Sequence, residues 1–322
     1  MDQTTDKPIP REILIETKAL HRRYGAALAV TDLNLSLRKG EILGLLGPNG
    51  AGKTTALRML AGTLAPTSGT VRIKGIDMTA SPKAAKANLG YLPEKPPIYG
   101  ELTVDEYLGY CARLHDVPAS QQKPALARAK QSCGLSDTGR RLISNLSTGY
   151  RQRVGLAQAI IHNPEVIILD EPTVGLDPNQ IREIRSLITA LGDNHSVILS
   201  SHILPEVQAV CNRVMIIDHG RVVYAERLAA TDPAQMESVS LRLRAPPPVA
   251  ALEQLSGISA VQTLEPGQFR LQLKPGADPR EQLAEAAVHN GWGLLELRAE
   301  IKTLEQRFVE LTSGETALKA AA

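Results

Sequence analysis

Aromatic side chains make up only 3% of the 322 residues, and there are just three cysteines. Cys111, Cys133 and Cys211 are odd in number, far apart and outside any CxxC pattern, which suggests neither a disulfide framework nor a zinc site and fits a reducing cytoplasm. Neither sign of charge is in excess: Lys+Arg 36 against Asp+Glu 34 leaves a net charge of +2. That offers no broad basic field for a phosphate backbone, and no nucleic-acid partner is expected. Long apolar runs are missing as well, so no segment reaches the roughly 18 consecutive residues needed to cross a bilayer as a helix. The N-terminal MDQTTDKPIPREILIETKAL has no apolar h-region, and the chain is expected to stay in the cytosol. What remains is ordinary for a globular protein: 43% hydrophobic and 22% charged residues, with a length that favours a large domain plus a smaller one. There is no internal repeat.

Short β-type runs at Ile13–Leu20, Asp32–Leu37, Glu41–Leu46 and Thr70–Ile73 come first, and further apolar runs follow at Val166–Leu169, Val197–Ser200 and Val214–Ile217. Interleaved with helical stretches, they predict a mostly parallel sheet. Residues 80–163 read as chiefly helical, a helical insert in the α/β body, with Pro96, Pro97, Pro118 and Pro124 as breakers. After Ala234 the texture changes. Strand, helix, two strands joined at Pro266-Gly267, helix and strand form the β-α-β-β-α-β order of a small α+β, ferredoxin-like module. The expected division is 1–234, 235–312 and an Ala-rich tail at 313–322.

Gly47-Pro48-Asn49-Gly50-Ala51-Gly52-Lys53-Thr54 satisfies GxxxxGK[ST], follows an apolar strand and precedes a helical stretch beginning near Thr55. That spacing lets backbone N–H groups wrap phosphate oxygens at a helix N-terminus, with Lys53 reaching the β- and γ-phosphates and the Thr54 hydroxyl reaching Mg²⁺. A nucleotide triphosphate is the expected ligand. Downstream, the apolar run Val166–Leu169 ends in Asp170-Glu171, where a parallel sheet presents ligands beyond its strand ends. Asp170 is expected to hold Mg²⁺ and Glu171 to polarise an attacking water.

Between these elements stands Leu146-Ser147-Thr148-Gly149-Tyr150-Arg151-Gln152-Arg153, and with it the chain closely resembles the ABC (ATP-binding cassette) ATPase family, whose signature reads LSGGQ. The resemblance covers Ile13–Ala230 strongly and ends weakly at Leu304–Phe308. It implies a P-loop ABC ATPase core with a helical subdomain, ATP as the nucleotide, and a head-to-tail dimer in which Ser147 and Gly149 of one subunit face the γ-phosphate held by the other. It also implies roles for Asp177 in the D-loop of Gly175-Leu176-Asp177, for His202 as the switch histidine, and for Tyr24 stacking on adenine.

Two departures mark this chain. Glu94, in Tyr91-Leu92-Pro93-Glu94, stands where the family carries a glutamine near the metal. A carboxylate accepts but does not donate, and it adds negative charge there. The signature carries Thr148 and Tyr150 in place of glycine and glutamine. Together with Gly175-Leu176-Asp177-Pro178-Asn179-Gln180, these features look like the gliding-motility-type branch of exporter ATPases, similar to the ATPase of nitrous oxide reductase maturation. The resemblance therefore implies a homodimeric motor on the cytoplasmic face of a bacterial inner membrane, driving a separate membrane-spanning permease for export or membrane-complex assembly, with Pro96–Leu108 as the docking segment. A soluble cassette acting on a ribosome or DNA complex is the alternative. A cassette that binds ATP without turnover is disfavoured because Lys53, Asp170, Glu171 and His202 are all present.

Overall fold

A computed structural model describes residues 12–228, 238–300 and 304–319. They fall into two compact units divided after Leu228. The N-terminal segment 1–11, whose character was read above, lies outside the described residues.

The first unit opens with an antiparallel layer. Strand β1 (Ile13–Tyr24) runs past the expected end at Leu20 and turns at Gly25-Ala26 into β2 (Ala27–Leu33); β3 (Ser36–Arg38) also pairs with β1. The single strand expected at Asp32–Leu37 is therefore two pieces. The reason is local: Asp32 adopts a positive φ of 50°, and the Asn34 amide donates to Asp32 while its oxygen accepts from Ala19 N–H. Such short polar side chains offer the backbone an alternative to the ladder. The central strand β4 (Ile42–Leu46) is buried at every position, as a strand covered on both faces must be. It leads through the glycine loop into helix α1 (Lys53–Leu60), after which β5 (Ser68–Ile73) and β6 (Ile76–Asp77) complete the antiparallel sheet in the order β2-β1-β5-β6.

Helix α2 (Pro82–Lys86) precedes β7 (Leu89–Leu92), which pairs in parallel with the later β8 (Val166–Leu169). Within the stretch 80–163, expected to be chiefly helical, Leu89-Gly90-Tyr91-Leu92 is instead a strand of the main sheet. Four residues are too few to show a period, and Leu89 and Leu92 are buried where β7 pairs with β8 and packs against α5. The helical part proper comes after Pro93: α3 (Val104–Leu114), α4 (Ala119–Ser132) and α5 (Thr148–Ile160), packed on one another. Thr103 and Glu106 form a reciprocal capping box at the start of α3, which satisfies two otherwise orphaned N–H groups. Beyond β8 come α6 (Pro178–Gly192), β9 (Ser196–Ser201), α7 (Leu204–Val210), β10 (Arg213–Asp218) and β11 (Arg221–Arg227). The main sheet runs β11-β10-β4-β9-β8-β7, parallel except at β11.

The second unit is β12 (Ser238–Leu243), α8 (Val249–Glu253), β13 (Ile258–Glu265), β14 (Gln268–Leu273), α9 (Arg280–His289), β15 (Leu294–Glu300) and α10 (Leu304–Lys319). Its sheet order, β13-β14-β12-β15 with every pair antiparallel, is that of a ferredoxin-like split βαβ. Alternating Val239, Leu241, Leu243, Phe269 and Leu271 bury one face against Leu252 and Leu283 of the helices. Helix α10 continues to Lys319, into the segment read as a tail, and 320–322 lie outside the described residues.

Candidate functional site

The glycine loop joins β4 to α1 and needs its glycines for space as well as for conformation. Gly52 sits at φ 102°, and a Cβ there would lie 2.4 Å from the Ala29 carbonyl oxygen; at Gly47 a Cβ would lie 2.3 Å from that of Ile217. Any side chain at either place would push the loop off the strands that hold it. Lys53, the first residue of α1, is 5% exposed. Its ammonium donates to the carbonyls of Gly47 and Pro48 at 2.8 and 3.2 Å and pairs with Glu171 Oε1 at 3.2 Å.

Asp170 and Glu171 follow the last residue of β8. The Asp170 side chain accepts on one oxygen only: Oδ1 takes the hydroxyls of Ser200 at 2.7 Å and Thr54 at 3.2 Å. Its Oδ2 is buried with no hydrogen-bond partner. Burial pushes the Asp170 carboxyl above its usual range, the Ser200 and Thr54 hydrogen bonds oppose this, and the charges of Glu171 and Glu94 add to it. An orphaned, buried carboxylate oxygen beside a threonine hydroxyl offers the oxygen donors that a hard divalent cation prefers. The residues thus fit Mg²⁺.

Glu171 adopts a positive φ of 47°, a costly backbone for a residue with a Cβ. It is held there from both ends. Its N–H donates to Ser200 Oγ at 2.9 Å, and its Oε2 lies 3.0 Å from His202 Nδ1. Ser200 ends the apolar part of β9, so one hydroxyl fixes both acids. A second buried knot, Thr173 and Ser201 donating to Glu206 Oε2 at 2.7 and 3.0 Å, ties the chain after Glu171 to the start of α7. Neither role was read from the sequence, although a serine closing an otherwise apolar strand was visible.

These residues open on one cleft of about 440 Å³, lined by Asn49, Gly50, Ala51, Gly52, Lys53, Thr54, Thr55, Glu94, Glu171 and His202, with Ala29 and Val174 added by the structure. Six sequence-predicted residues do not line it, among them the fully buried Asp170 and Gly47, which packs against Ile217. Tyr24 is 47% exposed at the end of β1. Ser147 caps α5, accepting from Tyr150 N–H at 3.4 Å, and Gly149 lies so close to Gln180 that a Cβ would meet that side chain at 2.9 Å. Asp177 caps α6 by accepting from Asn179 and Gln180 N–H. The signature turn and the first turn of α6 therefore touch each other rather than this cleft.

Against known proteins, residues 30–174 match the family model described as ABC transporter. The chain is 34% identical over 309 residues to the bacitracin transport ATP-binding protein BcrA of Bacillus licheniformis, covering 94% of this chain and 98% of that one. Among solved structures it resembles an ATP-binding subunit of an ABC transporter at 29% identity and TM-score 0.61, over 67% of this chain and 90% of that one. It shares the fold of the dimeric cassette MJ0796 at 24% identity and TM-score 0.62, over 68% of this chain and all of that one.

Proposed function

The chain belongs to the ABC transporter family as an ATP-binding subunit, and on that premise we propose how its site turns over ATP and what the turnover drives. The subunit binds and hydrolyses ATP, as cassettes of this family do. The observation that carries the residue assignments is the convergence of Lys53, Thr54, Glu171 and His202 on one cleft, with Asp170 beneath them.

Lys53 has three N–H donors, and Gly47, Pro48 and Glu171 engage all three. A γ-phosphate offers this ammonium a stronger partner. As Lys53 turns to it, Glu171 is left with His202 and becomes available to accept a proton from water. Thr54, Asp170 and Glu94 would hold Mg²⁺, which when bound offsets phosphate charge. Asn49 through Thr55 cradle the phosphates with backbone N–H groups at the positive end of α1, and Tyr24 stacks on the base. Ser147, Gly149 and Asp177 serve the cleft of a second copy, an assignment supported by their absence from the lining of their own cleft and by the dimeric structure of the same fold.

The motor drives a separate membrane-spanning permease from the cytoplasmic face of a bacterial inner membrane. Among the described residues no helix is long and apolar enough to cross a membrane, and in this reading the permease supplies the membrane path. Kinship with a bacitracin transport protein favours export, and the Tyr91–Glu94 and signature variants favour the gliding-motility-type branch. Residues 1–234 form the motor and 235–312 an accessory module. The docking segment Pro96–Leu108 contains Tyr99, 46% exposed and edge-on to Tyr107 and Tyr110. The test is to pull the tagged protein from detergent-solubilised native membranes and to compare its ATPase rate with that of Glu171→Gln. Recovery of a multi-spanning protein, and turnover lost in the variant, is expected; recovery of ribosomes or DNA factors instead overturns the transport reading.

A further inference from the structure

Arg22 and Tyr24 lie two residues apart near the end of β1, where the pairing with β2 is irregular. The Arg22 guanidinium carbon lies 4.6 Å from the centre of the Tyr24 ring, within the range of cation–π attraction. Its Nη1 donates to the Ala65 carbonyl at 3.0 Å, and its Nε is buried without a hydrogen-bond partner. One carbonyl and one aromatic ring hold this head group. In return, the head group covers one face of a ring that is otherwise exposed at the tip of a hairpin.

The backbone pins the pair to the phosphate loop's own elements. Arg23 N–H donates to Thr67 Oγ1 at 3.1 Å, and Thr67 N–H to the His21 carbonyl at 2.8 Å. Ala65 to Thr67 follow α1, whose first residue is Lys53, and β2 lies against Gly52 through Ala29. Base platform and phosphate cradle are thus fastened at two points.

We propose that Arg22 is a positioning residue for the nucleotide base: it lies under one face of Tyr24 and fixes the ring with its other face free to stack. The inference rests on Tyr24 being the base platform. An unheld surface tyrosine populates several rotamers and must give them up on binding; a cation against its face removes that cost beforehand. The effect falls on the base and leaves the phosphates untouched, because Lys53 and the glycine loop bind them independently of the ring. An exposed cation–π contact corresponds to about two- to fivefold in affinity.

The experiment measures binding of ADP and of inorganic pyrophosphate to the full chain by calorimetry, in wild type, Arg22→Ala, Arg22→Lys, Tyr24→Ala and the double variant Arg22→Ala/Tyr24→Ala. Expected are a two- to fivefold loss for ADP in Arg22→Ala with pyrophosphate unchanged, recovery toward wild type in Arg22→Lys, and a double variant no weaker than Tyr24→Ala alone. Equal losses for both ligands, or additive losses in the double variant, overturn the proposal while leaving Tyr24 as platform. If Tyr24→Ala itself leaves the ratio of ADP to pyrophosphate affinity unchanged, the platform reading fails and the role of Arg22 fails with it.

Discussion

Replacing Ser200 by alanine removes a single oxygen that both acids depend on. Its hydroxyl donates to Asp170 Oδ1 at 2.7 Å and accepts from Glu171 N–H at 2.9 Å, and the residue is fully buried. A hydrogen bond to a charged group contributes about 1.5–3 kcal/mol, and stranding a buried N–H costs about 1–3 kcal/mol more. The two losses share one site and relax together, so the expected destabilisation is about 3 kcal/mol, a large share of the 5–15 kcal/mol typical of a domain. For a unit of this size that corresponds to a fall of roughly 6–12 °C in melting temperature. Scanning calorimetry on the full chain reads it, with added ADP identifying the nucleotide-binding transition as the one that shifts upward. ATPase turnover should fall at least about tenfold, the equivalent of about 1.4 kcal/mol in the barrier, since the positive-φ backbone of Glu171 loses its anchor. A melting shift under about 2 °C together with unchanged turnover would show that Ser200 does not organise the pair, and the site described above would need another explanation.

Glu94→Gln removes one negative charge from the cleft and restores an amide that donates as well as accepts. The Mg²⁺ concentration for half-maximal ADP binding should rise by roughly two- to tenfold, while metal-free ADP binding tightens; no change in either titration would mean that Glu94 does not act on the metal. His162 supplies the pH prediction. Burial first, and then the His115 ring stacked on it at 3.9 Å, push its pKa down from 6.5 to about 4. The unfolded chain therefore takes up a proton near pH 6.5 and the folded chain only near 4, so this residue's contribution is complete above the upper value and is lost as pH falls through the window. With its partial exposure discounted, the loss at pH 4 is about 2 kcal/mol. In His162→Gln, whose amide can still donate to the Leu89 carbonyl bonded by the imidazole, that part of the slope between pH 6.5 and 4 should vanish from urea-unfolding midpoints. An identical slope in both proteins refutes it.

What the sequence made legible follows from how far apart the interacting groups lie along the chain. Binding a phosphate with backbone N–H groups fixes glycines, a lysine and a hydroxyl within eight consecutive positions, Gly47 to Thr54, so the chemistry is written as spacing. Asp170-Glu171 was readable for the same reason, as the polar end of a buried strand. Strand β7 was not, because four residues carry no period and the strand they pair with, β8, lies some 75 positions later. Ser200 lies 30 positions from Asp170, and nothing local sets it apart from the serine that follows it; only the parallel pairing of β8 with β9 makes it the hydroxyl that reaches both acids. Arg22 shows the same limit at shorter range. Two neighbouring arginines look equivalent on paper, and only the folded hairpin shows that Arg22 lies over the Tyr24 ring.

The strained backbone of Glu171 shows why this distant wiring matters for the chemistry. A glutamate at φ 47° is about 1–2 kcal/mol less stable than in the ordinary right-handed region, so the conformation persists only because other contacts outweigh it. Two of them come from β9 and the residue after it: Ser200 on the backbone N–H and His202 on the carboxylate. The third is Lys53, from the far side of the cleft. Of the three, Lys53 and His202 line the cleft that a nucleotide would enter, and Ser200 does not. On the function proposed above, a bound nucleotide would draw Lys53 from the carboxylate while Ser200 keeps the Glu171 backbone fixed, so that the proposed proton acceptor stays in place.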